Sequence, residues 1–231
     1  MRLRISARAG ALAATFVLVG VVLSGCFDLV QSVSVGRDGS GHYRVAVTAQ
    51  GFIGEALKNE KIVDTDRNHA DLTTTEVNGK VTRTAAIDFK SLSDLALKDE
   101  TMSLAVKSRD LFGLGPAHLA FRYTFMVDRA KAAQTGNSGS GIGKEIAQTI
   151  LGDHFYSFTV TVPGDIEHIA PVSLDGQLYQ PTVTGDFYNG RTVTWRIPLY
   201  ALFDARAIDF EVDFTAMGFF KDAKSQMTEH D

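Results

Sequence analysis

Apolar and polar residues alternate with a period of two along most of the chain, the signature of half-buried strands. "VQSVSV" and "HYRVAVTAQ" flank the turn "GRDGSG" and predict a hairpin, with Tyr43, Val45 and Val47 on one face and Arg44, Ala46 and Thr48 on the other. "TTTEVNGKVTRTAAIDF" predicts a second, because Asn78 and Gly79 suit the left-handed dihedrals of a type I′ turn. Asn189-Gly190 predicts a third turn of that kind. Further strands are expected in "HLAFRYTFMV", "HFYSFTVTVP", "RTVTWRIP" and "AIDFEVDFTA". In the first of these, Leu119, Phe121, Tyr123, Phe125 and Val127 share a face.

Helical periodicity is rarer. Phe52 to Lys61 places Phe52, Ile53, Ala56 and Leu57 on one side, "SLSDLALK" offers Ser91 as a cap, and "KEIAQTILG" continues a four-residue spacing of Ile142, Ile146 and Ile150. The expected fold is α+β, a predominantly antiparallel sheet with a few short helices. The Gly/Ser-rich stretch at about 132–144 is expected to be a flexible loop within one domain spanning 26–231, and the polar tail at about 221–231 to fray.

The N-terminus obeys different rules. Arg2, Arg4 and Arg8 precede an apolar run, Ala9 to Leu23, in which Thr15 is the only polar side chain. A helix of that length spans about 22 Å, short of the ~20 residues that cross a bilayer, so residues 1–25 are expected to be an export signal that is removed. The run ends in Leu23, Ser24, Gly25 and Cys26, and Cys26 is the sole cysteine. These four residues resemble the lipobox of bacterial lipoproteins. That resemblance implies a diacylglycerol on the Cys26 sulfur, cleavage by signal peptidase II between Gly25 and Cys26, and acylation of the new amino group, palmitate being a common chain. The thiolate is the nucleophile that alkylation needs. Two or three acyl chains hold a protein on a membrane, whereas one does so marginally. The enteric sorting rule reads Asp as the second mature residue; here Phe27 is second and Asp28 third. The protein is therefore expected on the outer side of the cytoplasmic membrane or in the outer membrane facing the periplasm.

Removing the leader leaves roughly 206 residues, enough for one domain with a real core. It also removes three arginines from a chain whose net charge is already −4, which argues against nucleic acid as a partner. With Cys26 acylated, neither a disulfide nor a thiolate metal site is available.

Motifs for chemistry fall short at their essential positions. A phosphate-binding loop needs Gly where Ser138 stands, and Ser or Thr after Lys144 where Glu145 stands. A nucleophile elbow around Ser138 lacks its last Gly, since Ser140 occupies that place. His42, His69, His118, His154, His168 and His230 show no metal-ligand spacing. Asp209, Glu211 and Asp213 share the outer face of a strand whose inner face carries Ile208, Phe210, Val212 and Phe214. Neighbouring carboxylates on it lie about 6.8 Å apart, too far to hold one bare calcium ion between them, so a solvated acidic face guarding against edge-to-edge aggregation is expected. No catalytic residue, metal or cofactor is assigned.

Three blocks carry a further resemblance: "VSVGRDGSGHYRVAV", "FTVTVPGDIEHI" with Pro163 and Gly164, and "NGRTVTWRIPL" with Thr192 to Trp195. Together with the lipobox they resemble the domain of LppM-type bacterial lipoproteins. The resemblance implies a lipid-anchored α+β domain without catalytic motifs, and it transfers no substrate. Trp195, in phase with Val193 and Ile197, is expected in the core. The expected function is a membrane-anchored envelope lipoprotein, not an enzyme, whose domain binds a lipid or other apolar ligand or an envelope protein, or serves structurally. The alternative is a hydrolase with residues converging from distant strands.

Overall fold

The protein is described by a computed structural model covering residues 27–109, 115–127, 148, 151–186, 190–202 and 205–228. Its elements in chain order are β1 (Phe27–Val35), β2 (Gly41–Gln50), α1 (Gly51–Leu57), α2 (Thr65–Asn68), β3 (Asp71–Val77), β4 (Lys80–Phe89), β5 (Ala96–Lys98), β6 (Glu100–Ser108) and β7 (Ala117–Met126). Beyond these come β8 (Phe155–Val162), β9 (Asp165–Ile169), β10 (Val172–Leu174), β11 (Gln177–Tyr179), β12 (Thr182–Asp186), β13 (Gly190–Pro198), β14 (Ala207–Ala216), β15 (Ala223–Lys224) and β16 (Gln226–Thr228).

Two sheets face each other. One has seven strands in the order β12-β13-β8-β1-β2-β4-β3 and the other five in the order β15-β6-β7-β14-β9, while β10-β11 and β16-β5 form two-stranded pairs. The inner faces supply one continuous core: Tyr43, Val45, Phe158 and Trp195 from the first sheet and Leu119, Phe121, Phe210 and Phe214 from the second are all buried. Rings interlock across the gap. Tyr123 stacks on Phe158 at 4.3 Å between centroids, Phe158 meets Phe210 at 4.7 Å, and Trp195 meets Phe210 edge-on at 5.2 Å. The space between the sheets is thus occupied by side chains, and Trp195 sits there as expected, its Nε1 donating to the Ala170 carbonyl at 3.1 Å.

The expected α+β class is corrected: the described fold is mostly β, and its sheets are mixed rather than all antiparallel. β1 pairs parallel with β8, and β16 parallel with β5. The chain leaves the first sheet after β4, builds β6 and β7 in the second, and re-enters beside β1 from the end at which β1 began, which forces the parallel pairing. The helical expectations shrink for local reasons. Helix α1 stops at Leu57, and the residues it buries are Gly54 and Leu57, leaving Phe52 and Ala56 exposed. Ser91 does cap, through Ser93 N–H and a reciprocal Asp94 contact to its own N–H at 2.9 Å, but the box closes only a three-residue 3-10 turn before β5. Most of "KEIAQTILG" lies outside the described residues, as do 132–144. The tail expected to fray instead pairs as β15 and β16 through Thr228, with the Met102 N–H donating to Ser225 Oγ at 2.8 Å.

The first two hairpins form as expected. Asn78 and Gly79 take φ of 52° and 73°, as a type I′ turn demands. The third also pairs, β12 with β13, although Asn189 lies outside the described residues. At Gly164 the chain passes from β8 in one sheet to β9 in the other, and a Cβ there would stand 1.9 Å from the Thr215 carbonyl oxygen. Gly164→Ala is expected to cost about 2 kcal/mol in denaturant unfolding, because backbone rather than a mobile side chain must yield.

The register defines two ends. Phe27, Gln50, Lys80, Phe155 and Pro198 line up at the entry end, and Val35, Gly41, Phe89 and Val162 at the far end. Nine residues of β1 separate the ends by about 26 Å.

Candidate functional site

Three strands of the first sheet and two of the second each place a polar side chain among buried apolar ones. Gln31 is in phase with Val33 and Val35 on β1, Tyr43 with Val45 on β2, and Tyr156 with Phe158 on β8; opposite them Glu100 is in phase with Met102 on β6 and Tyr123 with Phe121 on β7. Alternation carries all five to the interior, where Gln31 is 2% and Glu100 8% exposed. Their groups satisfy one another. Tyr123 and Tyr156 hydroxyls donate to Gln31 Oε1 at 2.7 and 2.5 Å. Gln31 Nε2 donates to Glu100 Oε1 at 2.7 Å and to the Tyr43 hydroxyl at 3.1 Å, and Tyr43 in turn donates to Glu100 Oε2 at 3.1 Å. Every donor leads to Glu100, the terminal acceptor.

Burial disfavours the ionised carboxylate and pushes Glu100 up to about 7, against the hydrogen bonds from Gln31 and Tyr43 and the nearby Tyr123 hydroxyl, which favour the charge. The three tyrosines are held well above their ordinary range, first by burial and then by the neighbouring Glu100 charge. The cluster is a polar clasp between the sheets, with a proton that exchanges near neutral pH. None of its members was singled out in the sequence for chemistry; the available signal was a polar residue in phase with buried strand positions.

The assigned site residues Gly25 and Cys26 lie outside the described residues. Immediately after Cys26 the chain enters strand β1 at Phe27, whose N–H donates to His154 Nδ1 at 3.3 Å, and the Phe155 N–H donates to Asp28 Oδ1 at 3.1 Å. Asp28, read in the sequence for its sorting position, therefore ties the start of β1 to β8. Among the described residues no helix is long and apolar enough to cross a membrane.

One row of residues bears on the hydrolase alternative. Ser34, His42 and Asp88 are register neighbours on β1, β2 and β4; Ser34 and His42, but not Asp88, line a depression of about 320 Å³ together with Arg37, Thr161 and Gly190. His42 Nδ1 contacts Asp88 Oδ1, but their side chains are 73% and 84% exposed and no hydrogen bond joins Ser34 to His42 among the described residues. The other histidines are dispersed: His118 pairs with Glu167 at 2.9 Å and His168 stands opposite Asp213, while His230 is outside the described residues. No three His, Cys, Asp or Glu side chains among the described residues are grouped to hold a metal. The acidic strand is β14, which lies inside its sheet rather than at an edge, and its carboxylates have partners: Asp209 accepts from Thr124 at 2.6 Å, Glu211 pairs with Arg122 at 2.9 Å and Asp213 with Lys107 at 2.7 Å. Ser138 and Lys144 are outside the described residues.

No family model matches the chain. No curated protein matches it either. Among solved structures, the NMR structure of the folded domain of the Mycobacterium tuberculosis LppM protein is similar, at 10% identity and a TM-score of 0.39, over 84% of this chain and 94% of that one.

Proposed function

We propose that this protein is a lipid-anchored envelope lipoprotein, held to a membrane through Cys26, whose β-sandwich is a non-catalytic binding or structural domain. The observation that carries the reading is the junction itself. A complete lipobox, Leu23 to Cys26, runs without a spacer into β1, and the backbone is bonded to His154 from Phe27 onward. On this reading one peptide bond separates the anchored residue from the first bonded residue of β1. Because rings fill the space between the sheets, a lipid or protein partner is expected on the surface rather than in an inter-sheet cavity.

Cys26→Ser is expected to abolish membrane association. The measurement is fractionation of cells expressing the full chain, with intact-mass analysis of the mature product. Loss of the diacylglyceryl mass and release to the soluble fraction support the reading; a variant that stays on the membrane after leader removal overturns it.

A further inference from the structure

The entry end of the sandwich carries large apolar side chains in water. Phe52, the second residue of α1, is 75% exposed; Val77, at the tip of the β3–β4 hairpin, is 64% exposed; Met126, the last residue of β7, is 46% exposed. They belong to one end because Phe27 pairs with Ala49, Gln50 with Lys80, Lys80 with Val77, and Phe125 beside Met126 stacks on Tyr156. Charge there is tempered: Lys58 bridges Glu55 at 2.8 Å and Glu76 at 2.9 Å, which leaves one net negative charge on the three, and Lys80, exposed at the hairpin turn, offsets it.

We propose that this rim is a membrane-contact surface, with Phe52 and Val77 seated in the headgroup region of the bilayer that holds the anchor. The inference rests on the anchoring reading and deepens it. The occupant is set by where the chain enters. Cys26 directly precedes Phe27, and Phe27 N–H and Asp28 are both fixed to the start of β8, so acyl chains on Cys26 set the rim at the lipid surface with no slack. Exposed apolar side chains delivered there leave water for the acyl boundary, and the anchor supplies the effective concentration that isolated side chains lack. Phe219, 87% exposed near Arg37, lies at the other pole, about 26 Å away along β1, and is expected to stay in water.

The test uses the full chain, exported and processed in cells, then purified and reconstituted in phosphatidylethanolamine–phosphatidylglycerol vesicles. Acylated Cys26 has no free thiol, so Phe52→Cys, Val77→Cys and Phe219→Cys each introduce one site for a nitroxide label. Power saturation compares access of oxygen, which concentrates in lipid, with access of an aqueous nickel chelate. Labels at 52 and 77 are expected to gain oxygen contact and lose nickel contact on reconstitution, and the label at 219 to keep its nickel contact. Aqueous labels at 52 and 77 on protein that floats with the vesicles overturn the rim while leaving the anchor intact. A label immersed at 219 but not at 52 assigns the opposite pole and also overturns it. Labelling of the unsubstituted chain would reveal a free Cys26, and anchor and rim would then fall together. Unchanged emission from buried Trp195 checks that each variant is folded.

Discussion

Denaturant unfolding followed through Trp195 is expected to lose about 3 kcal/mol as pH rises from below 4.5 to above 7, and Glu100→Gln to remove that loss. Proton counting gives the sign. Glu100 titrates near its ordinary 4.5 in the unfolded chain and at about 7 in the fold, so between those values the folded state binds the extra proton. Stability is fully present below the unfolded value and falls as pH climbs through the folded one. Other groups titrate in the same window, but the difference between wild type and Glu100→Gln isolates this one. The amide keeps an oxygen for Gln31 Nε2, and its NH2 can donate to Tyr43, so the clasp survives without a charge to desolvate. A variant whose pH slope matches the wild type would show that Glu100 does not control the linkage.

Phe210→Ala is expected to cost more, about 4 kcal/mol, read as a lower denaturant midpoint at fixed pH. Its ring touches four others, Tyr123, Tyr156, Phe158 and Trp195, at centroid distances from 4.7 to 6.0 Å. Those neighbours belong to both sheets and are wholly buried, so they cannot collapse onto the void without disturbing the hydroxyls of the clasp. A loss below about 1 kcal/mol would mean that the core relaxes freely there, contrary to a close-packed interior.

Both predictions concern positions that alternation had already marked. The period-two pattern correctly placed Tyr43, Val45 and Val47, and Ile208 to Phe214, on buried faces, since a strand exposes one face per parity. Asn78-Gly79 was equally legible because few other pairs accept its dihedrals. Pairing was not. Alternation specifies a face and never a partner, so the parallel joint of Leu29 with Tyr156, 127 residues apart, left no local mark. The helix expected from Phe52 to Lys61 failed on its assumed face: Phe52 points to water because α1 packs through Gly54, whose missing Cβ leaves room for the Ala49 carbonyl. Gln31 and Glu100 were legible in principle, as polar residues at core parity. Recognising them requires weighing what a buried polar group costs alone, and hence inferring that others must satisfy it.

The place of β1 in its sheet has a mechanical consequence. The strand lies between β2 and β8, bonded along both edges, and its first residue is the one next to the cysteine. Tension applied at residue 26 runs along the strand axis and loads both hydrogen-bond ladders in shear, so their bonds resist together instead of parting one after another as they would at a peeled edge. A protein tethered through such a strand can transmit force between a surface and whatever it holds without unravelling from its point of attachment.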